Sequence, residues 1–172
     1  PEYSVFQLDE ILKPLRMEFA AMAQEKDLYF EDFTVGRKFE SPGATLTESQ
    51  ILDFAWSWDP QPFHIDVPNS DEGPYGGLIS SGFHTMCVAF RLIHATGYLA
   101  SCSMGSPGID ELRWKRPVRP GDTLRVVAEV TSQKPSSSKP DRGRALICYS
   151  VLNQNDEEVM SYTCIHILQK RS

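Results

Sequence analysis

Residues 82–98 have the sequence GFHTMCVAFRLIHATGY, and this stretch decides the fold. Nearly every position in it is apolar or small, which predicts a helix that begins at Gly82, ends near Tyr98 and is buried on almost all sides. Gly97 is the expected stop signal, since glycine commonly follows the last helical residue. A helix of this length, roughly 25 Å at 1.5 Å per residue, requires other elements to wrap around it.

The C-terminal half of the chain supplies the wrapping layer. Four segments have the alternating or continuously apolar pattern of strands, namely residues 108–114, 123–131, 145–152 and 158–168. The connections between them are polar and short enough to join antiparallel neighbours. A long buried helix followed by such a meander predicts the α+β class, with a curved antiparallel sheet around the helix.

The N-terminal part predicts smaller elements. Apolar residues at helical spacing between residues 3 and 24, interrupted by Pro14, predict one or two short helices. We therefore divide the chain into a helical extension, residues 1–27, and a single domain, residues 28–172. Aromatic and acidic residues alternate over residues 29–33, which predicts a strand. Residues 47–50 form a capping box that starts a helix ending near Trp58.

The overall composition limits the classes of function. The chain has 172 residues, a net charge of −6 and a pI near 5.2. These values argue against general binding of nucleic acid or anionic membranes, because both partners need a basic surface. No stretch approaches the roughly 20 apolar residues of a membrane span, and the first residues lack the pattern of a signal peptide. We therefore predict a cytoplasmic protein.

The cysteines carry no predicted chemistry. Cys87, Cys102, Cys148 and Cys164 show no C-x-x-C spacing, and three of them lie inside apolar runs. This pattern favours reduced thiols in the core over a disulfide framework or a zinc site.

The chemistry is concentrated in residues 59–66, with the sequence DPQPFHID. Two prolines exclude a helix interior and a central strand, so this segment is expected to be a stiff loop that holds its side chains at fixed separations. Asp59 and His64 are close enough in sequence to meet at one water molecule, where one accepts a proton and the other donates. The pattern predicts an acid/base pair, although either residue alone could be structural.

The start of the long helix is the second candidate for chemistry. Residues 76–84 have the sequence GGLISSGFH. Gly82 is acceptable as an ordinary helix cap, but the free amides of a first turn also bind an oxygen that becomes negative. We favour the functional interpretation, because glycine lets a ligand approach the backbone closely. We expect Gly77, Ser81 and Phe83 to contact the substrate.

A cationic cluster follows in the segment RWKRPVRPGD, residues 113–122. Arg113, Lys115, Arg116 and Arg119 lie within seven residues that contain no carboxylate. Two interpretations are equally supported: a solvated strand face, because alternate side chains point to opposite sides, or a local patch for a phosphate-rich ligand. Among the candidate substrate contacts we include Arg113, Lys115 and Arg119.

The remaining aromatic residues and histidines are mainly predicted to be structural. Five aromatic residues are expected in the core, with those near Asp59 and Gly82 also able to line a ligand pocket: Trp56, Trp58, Tyr75, Phe83 and Phe90. His84 could be mistaken for a metal ligand beside His64 and Asp66. However, no H-E-x-x-H spacing or cysteine partner accompanies it, so no metal is predicted. Asp66 is expected to cap or turn the chain, and His94 and His166 to be structural.

Taken in this order, the segments around Asp59, Gly82 and residues 113–122 resemble the MaoC-like dehydratase family of hot-dog fold proteins, which includes (R)-specific enoyl-CoA hydratases. The resemblance covers about residues 28–168. Its core is the pattern Asp-x-x-Pro-x-His, present at Asp59, Pro62 and His64. The resemblance implies a hot-dog homodimer or dimer of dimers with substrate channels at the interface, Asp59 and His64 as catalytic residues and the Gly82 amide as oxyanion donor.

Three positions depart from the family pattern: Gln61 replaces the usual Asn, Ser81 stands where relatives often have His, and Phe90 stands where some hydratases have a polar residue. These departures concern the substrate more than the reaction. The expected activity is reversible addition of water to a 2-enoyl-CoA, without a cofactor because the thioester accepts the electrons. The alternatives are an acyl-CoA thioesterase and a non-catalytic acyl-CoA-binding subunit, against which an intact Asp59 and His64 pair argues.

Overall fold

The computed structural model describes residues 27–172. The predicted helices before residue 27 lie outside the described residues, so the division of the chain at residue 27 stays a prediction. No helix in the described part of the chain is long and apolar enough to span a membrane.

The core of the structure is one antiparallel sheet with a helix packed against it. Its strands are β1 (Lys38–Glu40), β2 (Ala44–Thr45), β3 (Gly108–Trp114), β4 (Thr123–Pro135), β5 (Arg142–Leu152) and β6 (Glu158–Gln169). The strand order is β1-β4-β5-β6-β3, and β2 also pairs with β4. The helices are α1 (Glu48–Trp58), α2 (Pro62–Ile65), α3 (Val67–Ser70) and α4 (Gly82–His94). The predicted α+β architecture is confirmed.

Alternation along the strands explains how the sheet covers α4. In β4 every second side chain is fully buried: Leu124, Val126, Ala128 and Val130. Because neighbouring side chains of a strand point to opposite faces, this row lies on the face that packs against the helix. Ala89 and Ile93 of α4 are also fully buried. The sheet and one face of α4 therefore form a single hydrophobic core.

The long helix differs from its prediction in two respects. It ends at His94 rather than near Tyr98, and Gly97 lies in the turn beyond it with a left-handed φ of 78°. It is also not buried on all sides, because Phe83 and Phe90 are 61% and 52% exposed and Cys87 is exposed as well. The sheet of one chain covers only one face of α4.

Two predicted strand features were wrong. Residues 30–32 form a 3₁₀-helix instead of a strand, because Phe30 and Phe33 are three residues apart and both point into the core. Strand β3 pairs with β6 rather than with β4, so residues 117–122 form a crossover and not a hairpin turn. The short strands β1 and β2 were not predicted.

The aromatic and cysteine predictions were partly wrong. The aromatic residues expected in the core are exposed to between 42% and 77%: Trp56, Trp58, Tyr75, Phe83 and Phe90. The cysteines are all unpaired, as predicted, but only Cys102 and Cys164 are buried. The core is filled instead by the aliphatic rows of the strands and by Phe33 and Tyr149.

Three buried side chains, those of Tyr98, Tyr149 and His166, are joined by hydrogen bonds in the core. The Tyr149 hydroxyl lies 2.7 Å from Nε2 of His166 and also hydrogen-bonds the Tyr98 hydroxyl. Burial, together with nearby His94, lowers the pKa of His166 to about 4. An unfolded histidine has a pKa of about 6.5. Between these two values the unfolded chain binds a proton that the folded chain does not, so stability falls as the pH falls.

This linkage gives a prediction for acid stability. From pH 7 to pH 5, His166 is expected to remove about 2 kcal/mol from the free energy of unfolding. His166→Gln keeps a polar side chain beside Tyr149 but does not titrate, so its free energy of unfolding should fall by less over the same range. Urea unfolding at the two pH values measures both. Equal losses for the wild type and the variant would show that His166 is not responsible.

Candidate active site

Asp59 is positioned by the end of α1. The Thr47 side chain and Gln50 form the predicted capping box at the start of this helix, with hydrogen bonds of 3.3 and 2.9 Å. At the other end, the Asp59 amide donates to the Ala55 carbonyl at 2.9 Å, and the chain then leaves the helix. Asp59 is thus held at a fixed helix exit, directly before Pro60.

His64 lies on a short helix where a loop was predicted. Pro62 occupies the first position of α2, where its missing N–H and fixed φ are acceptable. The prolines therefore permit one helical turn, which places the His64 side chain, 4% exposed, inside the protein. His64 Nδ1 lies 2.8 Å from the Ile79 carbonyl oxygen. A carbonyl only accepts, so Nδ1 carries a hydrogen, and in the neutral imidazole the lone pair is then on Nε2.

The two predicted partners meet. Nε2 of His64 lies 3.4 Å from Oδ2 of Asp59. The same Oδ2 accepts a hydrogen bond from the Ser81 hydroxyl at 2.7 Å, and Oδ1 accepts one from the side-chain amide of Gln61 at 2.8 Å. Burial alone would raise the pKa of Asp59, but these two hydrogen bonds and the neighbouring His64 outweigh it and bring the pKa below its ordinary value. Asp59 is therefore a carboxylate at neutral pH.

Two states of this pair differ in hydrogen bonding: imidazolium His64 can donate its Nε2–H to Asp59, whereas with neutral His64 the pair presents two hydrogen-bond acceptors to one point. A carboxylate oxygen and an unprotonated imidazole nitrogen repel each other unless a donor lies between them. A water molecule has two O–H groups and can donate to both, which leaves its oxygen lone pairs directed away from the pair. The geometry is suited to holding and activating water.

Gly82 is the first residue of α4. The Ser81 hydroxyl caps this helix by accepting from the Phe83 amide at 3.2 Å. The Gly82 amide has no acceptor among residues 27–172, so it can donate to a ligand. The space beside its Cα is already occupied, because a Cβ built at Gly82 would lie 2.5 Å from the Trp114 indole ring. Trp114 alone is therefore sufficient to require glycine at this position.

Asp59, His64 and Gly82 lie on one cavity of about 430 Å³. Phe83 and Lys115, both predicted to contact substrate, lie on its walls. The rest of the lining combines polar and apolar side chains: Gln61, Phe63, Tyr75, Ile79, Ser80, Thr85, Trp114, Arg116, Pro117 and Val118. The volume is within the range of ordinary small-molecule sites.

Four predicted substrate contacts lie elsewhere. Ser81 is fully buried and its hydroxyl is used by Asp59 and α4. The Arg119 guanidinium donates to the carbonyls of Tyr75 and Gly76, which braces the loop before α4. Gly77 has a left-handed φ of 129° and packs beside Arg119. Arg113 donates to the Leu112 carbonyl at 2.8 Å on the sheet edge. None of them lines the cavity.

The cationic cluster is not free of carboxylates. Lys115 forms an ion pair with Glu158, and Arg116 lies 3.4 Å from Glu157. Glu157 ends the turn before β6, and Glu158 is the first residue of β6. The sequence around the cations could not show that these two glutamates lie beside them. The cluster is therefore partly neutralised where it reaches the cavity.

The other singled-out polar residues have structural contacts. Asp66 accepts from the Asn69 amide at 3.3 Å and caps α3, as predicted. Nδ1 of His84 lies 3.0 Å from the Ser80 hydroxyl, and its ring stacks on Phe54. Over residues 27–172, no group of three or more His, Cys, Asp or Glu side chains is placed to hold a metal ion.

Ser81, which was predicted to contact the substrate, hydrogen-bonds Asp59, and this contact gives a prediction. A hydrogen bond to a charged group is worth roughly 1.5–3 kcal/mol, so Ser81→Ala should lower kcat by about 10- to 100-fold. Thr47→Ala is the matched control, because it also removes a helix cap, at a stability cost of about 1 kcal/mol, without touching Asp59. Steady-state kinetics and thermal unfolding of both variants test this. Equal, small losses of activity would contradict it.

The comparisons with known proteins agree with this fold. Residues 31–146 match the family described as MaoC like domain. The crystal structure of a MaoC-like dehydratase from Rhodospirillum rubrum is 34% identical, with a TM-score of 0.76, covering 84% of this chain and 99% of that one. A conserved hypothetical protein from Mycobacterium tuberculosis with a double hot-dog fold has a TM-score of 0.70 at 21% identity, covering 84% of this chain and 44% of that one.

A curated relative carries a functional name. The 3-hydroxyacyl-thioester dehydratase Z of Mycobacterium tuberculosis is 27% identical over 93 residues, which are 53% of this chain and 62% of that protein. The chain thus spans less than two thirds of this relative. The hot-dog fold is confirmed, and the family includes dehydratases. The chain belongs to the family of proteins with a MaoC-like dehydratase domain.

Proposed function

We propose that the protein is a hydro-lyase that adds water reversibly to the double bond of a 2-enoyl-CoA and forms a 3-hydroxyacyl-CoA. The observation that carries this proposal is the 3.4 Å approach of His64 Nε2 to the Asp59 carboxylate on the cavity wall. In the state with neutral His64, two acceptors face each other and one water can donate to both. The name of the thioester dehydratase from Mycobacterium tuberculosis supports a thioester as the other reactant.

In the proposed reaction, water donates to Asp59 and to Nε2 of His64. Its oxygen bonds to C3 of the enoyl group as one of its protons passes to this pair. The electrons of the C2–C3 double bond move toward the thioester carbonyl, and the pair returns one proton to C2. One O–H bond and the C2–C3 π bond break, one C–O bond and one C–H bond form, and the pair ends in its starting protonation state.

The negative charge that develops on the thioester oxygen needs a donor. The Gly82 amide is directed from the first turn of a 13-residue helix and has no acceptor among the described residues. A donor held in place before the reaction stabilises the enolate-like oxygen without reorganisation, and the positive end of the helix dipole adds to this effect. The thioester accepts the electrons, so the proposal requires no cofactor.

The cavity walls fit the two ends of such a substrate. The aromatic rings of Phe83, Tyr75 and Trp114 offer apolar surface for an acyl group. Lys115 and Arg116 lie on the same cavity, and their partners Glu157 and Glu158 are partly exposed. We propose that phosphate groups of coenzyme A compete with these glutamates for the two cations.

A panel of 2-enoyl-CoA esters of different chain length and branching tests the proposal. We expect the conjugated absorbance to fall and the product mass to exceed that of the substrate by one water. The best ester in the panel identifies the acyl class. If no ester gains water while the protein is folded, the proposed reaction is wrong.

We also propose a homodimer or dimer of dimers. Phe90 and Cys87 of α4 are exposed, and so are Ile109 and Trp114 of β3, an edge strand with one neighbour in the described sheet. The rings of Phe83 and Trp114 are 5.7 Å apart, so the start of α4 and the end of β3 are in contact. A sheet edge and an apolar patch of this kind need cover, and a second copy supplies it.

Sedimentation is expected to show a dimer or tetramer. Ile109→Lys with Phe90→Lys should produce a monomer with little activity, since the proposed interface borders the cavity. Val35→Lys is the control, because Val35 is 65% exposed but lies beside β1 at the opposite edge of the sheet. An active monomeric wild type would refute the proposed assembly.

A further inference from the structure

Trp114 makes an unusually close contact with Gly82. An ideal Cβ at Gly82 would lie 2.5 and 2.6 Å from Cε2 and Nε1 of the indole. The ring therefore lies flat against the Gly82 Cα. Its Nε1–H donates a 2.9 Å hydrogen bond to the Gly82 carbonyl oxygen. Trp114 thus contacts both the α-carbon and the carbonyl of Gly82, a cavity residue whose amide has no acceptor among residues 27–172.

A glycine at this position needs such restraint. Glycine has the widest choice of φ and ψ of any residue, and the first residue of a helix has no preceding helical turn to hold its amide. On one side, the Ser81 hydroxyl fixes the start of α4 by joining the Phe83 amide to Asp59. On the other side, Trp114 is the group in contact with Gly82.

Trp114 is itself held in place. It is the last residue of β3 and pairs with Met160 of β6. The next amide, that of Lys115, donates to the Val159 carbonyl at 2.8 Å. The indole also packs against Phe83 in an edge-to-face arrangement with a centroid distance of 5.7 Å. The sheet therefore provides a fixed support for the ring.

We propose that Trp114 is a positioning residue for the Gly82 amide: its indole limits the φ and ψ of Gly82 and so directs the N–H at the thioester oxygen. This rests on the proposed function in assigning the amide to that oxygen. The contact between Trp114 and Gly82 does not depend on the reaction. The experiment therefore needs one measurement with substrate and one without.

The first measurement is steady-state kinetics of Trp114→Phe, which keeps an aromatic ring and removes the Nε1–H. We expect kcat to fall by about 5- to 10-fold with KM within about twofold, because a misdirected donor affects the charged transition state more than the bound substrate. Trp56→Phe is the matched control, since Trp56 is 67% exposed and does not line the cavity. Unchanged kcat in Trp114→Phe would overturn the proposal.

The second measurement follows the Gly82 amide directly. In protein labelled with ¹⁵N-glycine, the Gly82 resonance is the one of 11 that disappears in Gly82→Ala. In Trp114→Phe we expect this amide to show faster solvent exchange and added microsecond-to-millisecond broadening, while Trp56→Phe leaves it unchanged. A loss of kcat without any change in this resonance would reduce Trp114 to a structural role and overturn the proposal.

The two measurements separate this inference from the proposed reaction. If the wild type hydrates no enoyl thioester, the proposed function fails, and the Gly82 resonance alone decides whether Trp114 positions the amide. A third variant adds a steric test: Gly82→Ala should lower kcat strongly, and adding Trp114→Ala should lower it by less than the product of the single effects, because it removes the clash. Multiplicative losses would count against the contact.

Discussion

Asp59→Asn is expected to lower kcat by roughly 10²- to 10⁴-fold while the fold is retained. The substitution keeps the size of the side chain but removes the charge that accepts hydrogen bonds from Ser81, Gln61 and the water. His64→Ala is expected to have an effect of similar size, because Nε2 is the second acceptor for the same water. Stopped assays with purified variants, together with thermal unfolding, measure these losses.

The double variant is the sharper test of the pair. If Asp59 and His64 act on one water, removing either destroys the site, and the double variant should lose far less than the product of the two single losses. Asp53→Asn is the matched control, since Asp53 lies on the same helix α1 and does not line the active cavity. Losses that multiply would show that the two residues act independently. Activity that survives either single change would remove the assignment.

Much of the architecture was predictable because its signals are local. The apolar run of α4, the strand periodicities and the capping box at Thr47 each involve residues close in sequence, and all were found in the structure. Asp59 at a helix exit followed from the same kind of signal. The prediction failed for the pairing of strands in the sheet. The pairing of β3 with β6 joins residues about fifty positions apart, such as Trp114 and Met160, and no local pattern specifies it.

The candidate active site likewise combines a local feature that was predicted with contacts between distant residues that were not. The spacing within residues 59–66 predicted the meeting of Asp59 and His64. The contacts that support this pair cross larger distances in sequence: Ser81 reaches Asp59 across 22 residues, and Trp114 reaches Gly82 across 32. From the sequence, Ser81 was predicted to contact the substrate and Trp114 to end a strand. Their contacts with the site are set by packing, which composition and periodicity do not encode.

The cationic residues illustrate why a charge pattern in the sequence cannot be interpreted without the fold. In sequence, Arg113, Lys115 and Arg119 belong to one uninterrupted basic segment. In the structure, β6 brings Glu158 to Lys115, and the loop before α4 takes the guanidinium of Arg119. Only Lys115 of these three reaches the cavity. Neighbouring strands and loops supply ion-pair and hydrogen-bond partners to the cations at the end of a strand. A cluster of cations in the sequence therefore overstates the positive charge of the folded surface.

The proposed reaction depends on which carbon the activated water faces. If the Gly82 amide holds the thioester oxygen and the water bound to Asp59 and His64 lies over C3, the C–S bond is never attacked. Coenzyme A should then stay attached throughout. A thioesterase would use the same carboxylate to direct water at the carbonyl carbon, and each turnover would release a thiol.

The most direct test therefore follows conjugated absorbance and free thiol in the same samples of 2-enoyl-CoA, the latter with a thiol-reactive dye. The proposed hydration predicts loss of absorbance without thiol, a rise in absorbance when the 3-hydroxyacyl-CoA product is supplied instead, and absence of both changes in Asp59→Asn. Thiol release from saturated and unsaturated esters alike, abolished in Asp59→Asn, would contradict the account and assign the site to thioester hydrolysis.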